Sequence, residues 1–185
     1  IAHIGFMDAD LSTDFRDFKD LVKTLKRENK LVVFGSRNAQ GSGAIERNFM
    51  RNVFSKFVKQ FILLILGLPI RDTQCGAKVF SRSIVPVVYE EAFVSRWLFD
   101  VEIFLRLKKF IGKSRVMSLI TEQPLMRWVH VEDSKLGMRD AIEIPGRLAH
   151  IWLNYNVFGK ADRKFTTIEA NFTHVPAEEL IAIAA

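Results

Sequence analysis

The sequence contains a single cysteine, Cys75, so no disulfide can close within the chain and oxidative cross-links play no part in holding its fold. Long apolar runs are missing as well. The longest uncharged one, Phe61 to Ile70, falls short of the roughly 20 residues a helix needs to cross a bilayer. No internal repeat and no low-complexity linker occurs, which argues against solenoids and spacer segments. Tyrosine is scarce, with 2 residues, while phenylalanine supplies 16.

What remains is a chain of 185 residues, 49% hydrophobic and 26% charged, which suits one domain with a real core rather than a disordered segment. The net charge of +6 suits anionic partners such as nucleic acid, acidic lipid headgroups or phosphorylated substrates, or simply a positive surface on a soluble protein. The basic residues are not interleaved with aromatics in a recognisable nucleic-acid-binding motif, so nucleic acid is not an expected partner. The sequence opens at Ile1, already inside an apolar segment, so an N-terminally truncated domain is expected. It would cover residues 1–156, with a weakly patterned tail over 157–185.

The pattern predicts a buried strand over Ala2–Met7 running into Asp8-Ala9-Asp10. A helix follows over Asp14–Arg27, capped by Ser12 or Thr13, with Phe15, Phe18, Leu21, Val22 and Leu25 as its apolar stripe. Further strands are predicted at Leu31–Phe34, Ala77–Ser81, Val116–Thr121 and Leu125–Val129. Further helices are predicted at Ala44–Leu66, Ser83–Glu91, Leu98–Phe110 and Met138–Tyr155. This alternation predicts an α/β fold with a mostly parallel sheet flanked by helices. Ligands of such sheets sit beyond the carboxyl ends of strands, where Asp8 and Asp10 are placed.

Residues two apart in extended chain point to one side, so Asp8 and Asp10 can together hold a hard divalent cation, or else simply precede a helix as capping acids. Arg37, in Gly35-Ser36-Arg37 after the second strand, can pair a phosphate through two hydrogen bonds or stand as a solvated loop arginine. The Ala44–Leu66 helix carries Arg47, Arg51, Lys56 and Lys59 against the single acid Glu46, with a broad apolar surface that includes Phe49, Phe54, Phe57 and Phe61. Such a helix lies in a membrane interface or is a core helix with a wet basic edge. Arg51 and Ser55, one turn apart, can address one anion. Asp72-Thr73-Gln74-Cys75-Gly76 is a polar loop rich in donors and acceptors, suited to a sugar or a diphosphate if it is more than a turn. Asp100 and Glu102 open a helix, where they complement its macrodipole or serve as a base or a partner of sugar hydroxyls.

Met7-Asp8-Ala9-Asp10-Leu11, Gly35-Ser36-Arg37, Ile70-Arg71-Asp72-Thr73-Gln74-Cys75-Gly76-Ala77-Lys78, Arg96-Trp97-Leu98-Phe99-Asp100-Val101-Glu102 and Glu132-Asp133-Ser134-Lys135-Leu136 together resemble the polyprenyl-phosphate glycosyltransferases of family 2, with the dolichyl-phosphate β-glucosyltransferases nearest. The resemblance implies a GT-A-type, Rossmann-like fold and transfer of a sugar from a nucleotide sugar, UDP-glucose favoured, to a polyprenyl or dolichyl phosphate. It implies inversion and a Mg²⁺ or Mn²⁺ cofactor on Asp8 and Asp10; Ser12 stands where many members place a third metal contact. It further implies catalytic carboxylates at Asp72, Asp100 and Glu102, and donor or acceptor contacts at Arg37, Arg51, Ser55, Gln74, Trp97 and Lys135. The expected setting is the cytoplasmic face of a membrane, with a homo-oligomer left open. A non-catalytic anion- or membrane-binding module is the competing reading from another class. A processive polysaccharide synthase is disfavoured, because Gln123 to Trp128 spaces its Arg-Trp one residue too far for that motif.

Overall fold

The computed structural model describes residues 2–37, 49–129 and 138–157, with side chains over 2–37, 56–129 and 143–157. Four strands form one sheet: β1 (His3–Met7), β2 (Val32–Ser36), β3 (Ala77–Ser81) and β4 (Ile120–Pro124), in the order β1-β3-β2-β4. Among the described residues the helices are α1 (Phe15–Arg27), α2 (Phe49–Leu66), α3 (Val85–Tyr89, preceded by a 3-10 turn at Arg82–Ile84), α4 (Phe99–Ile111), α5 (Lys113–Leu119) and α6 (Met138–Asn156).

The two central strands, β2 and β3, are buried along their whole length, and their alternating side chains feed two separate cores. Val32, Phe34 and Phe80 enter the larger one, with Ile62 and Leu66 of α2, Val101 and Phe104 of α4, and Leu148 and Ile151 of α6. Val33, Ala77 and Val79 enter the smaller one, against Leu21 and Leu25 of α1. The result is a sheet with helices on both faces, a mixed α/β arrangement consistent with a GT-A-type fold.

Strand direction departs from the sequence expectation. β2 and β4 pair in parallel, but β3 runs against both β1 and β2. Two of the three strand pairings are therefore antiparallel, although β1, β2 and β4 share one direction. The reversal follows from the path of the chain. The turn before β3 delivers Gly76 to the edge where β1 ends, and the Asp8 amide donates to the Gly76 carbonyl at 2.8 Å.

Three other expectations are corrected. Residues 116–119 belong to α5, which starts after Gly112, whose φ of +92° breaks α4. Val116 and Leu119, one turn apart, are buried in the larger core, and this packing outweighs their strand-like composition. The segment 125–129 follows β4 and forms no strand. The cap of α1 is Asp14, whose carboxylate accepts the Arg16 amide at 2.7 Å; Ser12 and Thr13 are buried instead. α2 ends where expected, at Gly67 with a φ of +58°. The side chains of Arg51 and Ser55, all of Lys135 and the tail beyond 157 lie outside the described residues.

Candidate active site

One edge of the sheet collects the carboxyl ends of β1, β2 and β4 and the amino end of β3. Asp8 leaves β1 there, and its carboxylate lies directly over Gly76, so that a methyl group on residue 76 would overlap it. Asp10 accepts the Ser12 amide at 2.9 Å, and that bond holds its carboxyl below the usual range. The bond stabilises a turn in which Leu11, a non-glycine residue, takes a φ of +61°. Asp8 and Asp10 are both exposed. No group of three or more His, Cys, Asp or Glu side chains arranged to hold a metal occurs among the described residues.

Arg37 follows β2. Its backbone N–H and Nε donate to Oδ2 of Asp72 at 2.9 and 2.8 Å, and its Nη2 donates to Oδ1 at 2.7 Å. Asp72 is 6% exposed. Burial pushes its carboxyl up, but the bonds and charge of Arg37 outweigh that and leave it below the usual range. The guanidinium also lies 5.9 Å from the centre of the Trp128 ring. The segment carrying Trp128 is stitched down by Asp17, which accepts the backbone N–H and Nη1 of Arg127, each at 2.7 Å. The Val129 amide donates to the Ser12 carbonyl at 2.9 Å, joining this segment to the Asp10 turn.

Beneath the edge lies a fully buried lysine. Lys78 Nζ donates to the Cys75 carbonyl at 2.6 Å and to Asp100 Oδ1 at 2.7 Å. Asp100 nevertheless has its carboxyl pushed above the usual range, by burial first and also by the negative charge of Asp8. Burial, with Asp100 as a second cause, pushes the Tyr89 hydroxyl up to about 12. Cys75 packs its sulfur against Gly35, where a Cβ would come within 2.9 Å. Burial pushes its thiol up to about 11, which suits a packing role rather than a nucleophile.

No family model matches the chain. Among curated proteins it is 31% identical over 179 residues to a dolichyl-phosphate beta-glucosyltransferase of Trichomonas vaginalis, covering 90% of this chain and 50% of that protein. It is 29% identical over 164 residues to the dolichyl-phosphate beta-glucosyltransferase of Saccharomyces cerevisiae, covering 81% and 47%. It is 28% identical over 135 residues to that of Dictyostelium discoideum, covering 70% and 39%. The chain is a homologue of the dolichyl-phosphate beta-glucosyltransferases. It spans about half the length, or less, of these relatives.

Of the candidate residues read from the sequence, the structure brings Asp8, Arg37, Asp72 and Asp100 to one place. The charge of Asp8 acts on both Arg37 and Asp100. Gln74 is half-buried in the loop entering β3, and Trp97 stands 45% exposed just before α4. Glu102 faces other partners. It is 0% exposed, and its oxygens accept the Val94 and Ser95 amides at 2.9 and 2.8 Å and the Tyr155 hydroxyl at 2.9 Å. Arg106 stands 3.8 Å away. Glu102 therefore ties the approach to α4 and the end of α6 into the core.

Three contributors were not assigned a role from sequence. Lys78 looked like an ordinary strand residue, although a lone lysine inside Ala-Lys-Val-Phe-Ser is a usable signal, since an apolar strand buried on both faces has no wet side for it. Glu122 gave no signal and Asp17 read only as an acid near the positive end of α1, because their partners lie far away in sequence.

Proposed function

We propose that the protein moves a sugar, glucose favoured, from a nucleotide diphosphate sugar to a polyprenyl or dolichyl phosphate, by a single displacement that inverts the anomeric carbon. The observation that carries this reading is the meeting of Asp8, Arg37, Asp72 and Asp100 at one strand edge, with Asp10 two residues beyond Asp8, in a homologue of dolichyl-phosphate beta-glucosyltransferases.

Asp8 and Asp10 would hold Mg²⁺ or Mn²⁺, and such an ion offsets the negative charge gathering on a departing diphosphate. The two exposed carboxylates fit a hard cation, and the bare Cα of Gly76 makes the room that Asp8 occupies. Arg37, braced by Asp72, offers its remaining N–H donors to a phosphate oxygen. The acceptor is a phosphate monoester with a second pKa near ~6, so it is largely a dianion at neutral pH. Its oxygen bonds to the anomeric carbon as the bond to the diphosphate oxygen breaks, and no proton has to be removed. Asp100, bonded to Lys78, is then a positioning group beside the sugar rather than a base.

The test uses the full-length protein with UDP-glucose and a short polyprenyl phosphate. Asp8→Ala, and Gly76→Ala by displacing Asp8, should each lower metal-dependent transfer by at least about a hundredfold in a protein that still folds. Undiminished transfer by either variant, or full activity in a chelator, would count against the assignment. Asp100→Asn should leave the acidic limb of the pH–rate profile where it is; a moved limb would make Asp100 a base.

The reading extends to the cytoplasmic face of a membrane. Val58, Ile62, Ile65 and Leu66 of α2 are core residues, yet Phe57 (58% exposed) and Leu64 (77% exposed) continue a second stripe with half-buried Phe61, beside exposed Lys56 and Lys59. No helix of the described residues is long and apolar enough to cross a membrane, so an interfacial position is the mode this stripe supports. Changing Phe57 and Leu64 to Ser together should reduce binding to anionic liposomes without loss of fold. Equal binding by that variant removes the membrane from the reading.

A further inference from the structure

We infer that Glu122 is a positioning residue, which fixes the loop carrying Asp72 and thereby sets the Arg37 guanidinium toward a substrate phosphate. The identity of that phosphate rests on the transferase reading; the mechanical link does not.

Glu122 sits on β4 opposite Phe34 of β2, three residues before Arg37 on the neighbouring strand. Its two carboxylate oxygens accept two successive backbone amides of a distant loop, Arg71 N–H on Oε2 at 2.8 Å and Asp72 N–H on Oε1 at 2.9 Å. Bonds to an ionised acceptor are roughly twice as strong as neutral ones, and a carboxylate held by both oxygens fixes the orientation of the loop as well as its position. Asp72 then spends its own carboxylate on Arg37, accepting three bonds from that one residue. The linkage runs from strand to loop to guanidinium through charge-assisted bonds.

Arg37 is gripped along its Nε–Nη2 edge. The opposite edge of a guanidinium held in this way is the one a phosphate would meet, and its angle follows from the angle of Asp72. A shift of about 1 Å at a positioning group is enough to cost catalysis heavily. Both carboxylate oxygens of Glu122 are taken by loop amides, so its effect on transfer is expected to pass through Arg37. That requirement separates it from a residue that merely supports the fold.

The experiment is a double-mutant cycle in the full-length protein, with Glu122→Gln, Arg37→Ala and their combination. Arg37→Ala identifies which substrate, nucleotide sugar or polyprenyl phosphate, loses apparent affinity. Glu122→Gln turns an NH₂ group toward one of the two amides, and it should raise KM for that same substrate about tenfold with kcat much less affected. In the Arg37→Ala background the Glu122 change should cost less than about twofold, because the group it positions is gone. Hydrogen exchange at the Arg37 and Asp72 amides should accelerate in Glu122→Gln by about tenfold. Glu122→Asp, which keeps the charge, should lie between wild type and Gln, and it replaces Gln in the cycle if Gln does not fold. Losses of equal size in both Arg37 backgrounds, a KM effect on the other substrate, or unchanged exchange at Arg37 and Asp72 overturns the inference. Wild-type protein without transfer to polyprenyl phosphate sinks the transferase reading instead, and the exchange comparison then decides Glu122 by itself.

Discussion

Two carboxylates flank the same sheet edge at nearly equal depth, Asp72 at 6% exposure and Asp100 at 7%, yet they titrate in opposite directions. Burial pushes both upward. Asp72 receives three bonds from Arg37 and ends below the usual range. Asp100 receives one bond from Lys78, faces the charge of Asp8 and ends above it. Depth alone therefore does not set the behaviour of a buried acid; the donors that reach it and the charges that face it do. Asp72 is thereby locked as an ionised strut, whereas Asp100 stays responsive to whatever charge enters beside Asp8.

The sharpest way to break this contrast is to remove the weaker partner set altogether. Lys78→Met strands the largely buried Asp100 without its cation, and should destabilise the fold by about 3–5 kcal/mol in denaturant titration. A loss near zero would mean that Asp100 is neutral in the native state. Asp72→Asn is the matching change on the other side. Arg37 is 39% exposed along its side chain, so water compensates part of the loss, and about 1–3 kcal/mol is expected. A cost above that for Lys78→Met would reverse the ranking of the two pairs.

The finest test is the pH dependence of the two Asn variants. A carboxyl whose folded pKa is depressed, as for Asp72, stabilises the fold above its unfolded value of about 3.9 and loses that contribution as pH falls through the folded value. A carboxyl whose folded pKa is raised, as for Asp100, contributes most below about 3.9 and loses that contribution as pH rises through the folded value. Between about pH 3 and 6 the penalty of Asp72→Asn should thus grow, while wild type should lose ground to Asp100→Asn. Unfolding midpoints across that window should diverge; parallel curves would mean that the two acids do not differ.

The same contrast shows what could be read from sequence. Asp72 and Asp100 were both singled out as candidates, but their different partners were not, because Arg37 and Lys78 lie 35 and 22 positions away and only the fold brings them in. The strand Ala77–Ser81 was read to its ends, since turn chemistry brackets it. Its direction was not, since nothing in an apolar pentad records which way it runs. The helix at Lys113–Leu119 was misread because Val116, Met117 and Leu119 look like strand residues until α4 and β4 give Val116 and Leu119 a core to fill. The structural bonds of Glu102 were hidden for the opposite reason. An acid in the first turn of a helix next to an exposed tryptophan has the composition of a site, and only the fold brings the buried Tyr155 and Arg106 around it.

The reversed strand has a consequence for how the protein reaches its native state. His3 pairs with Ser81 and Met7 with Ala77, so the ladder that sets Asp8 beside Gly76 closes a loop of about seventy to eighty residues, whereas α4 and α5 are built from near neighbours. Closure entropy rises with loop length, and contacts this distant in sequence form slowly compared with helical turns. The helical layer can therefore condense while β1 is still searching, and the carboxylate edge becomes one of the last features to assemble. A destabilised variant would then be expected to lose this register early on heating, retaining helix and core while the edge that handles phosphate has already come apart.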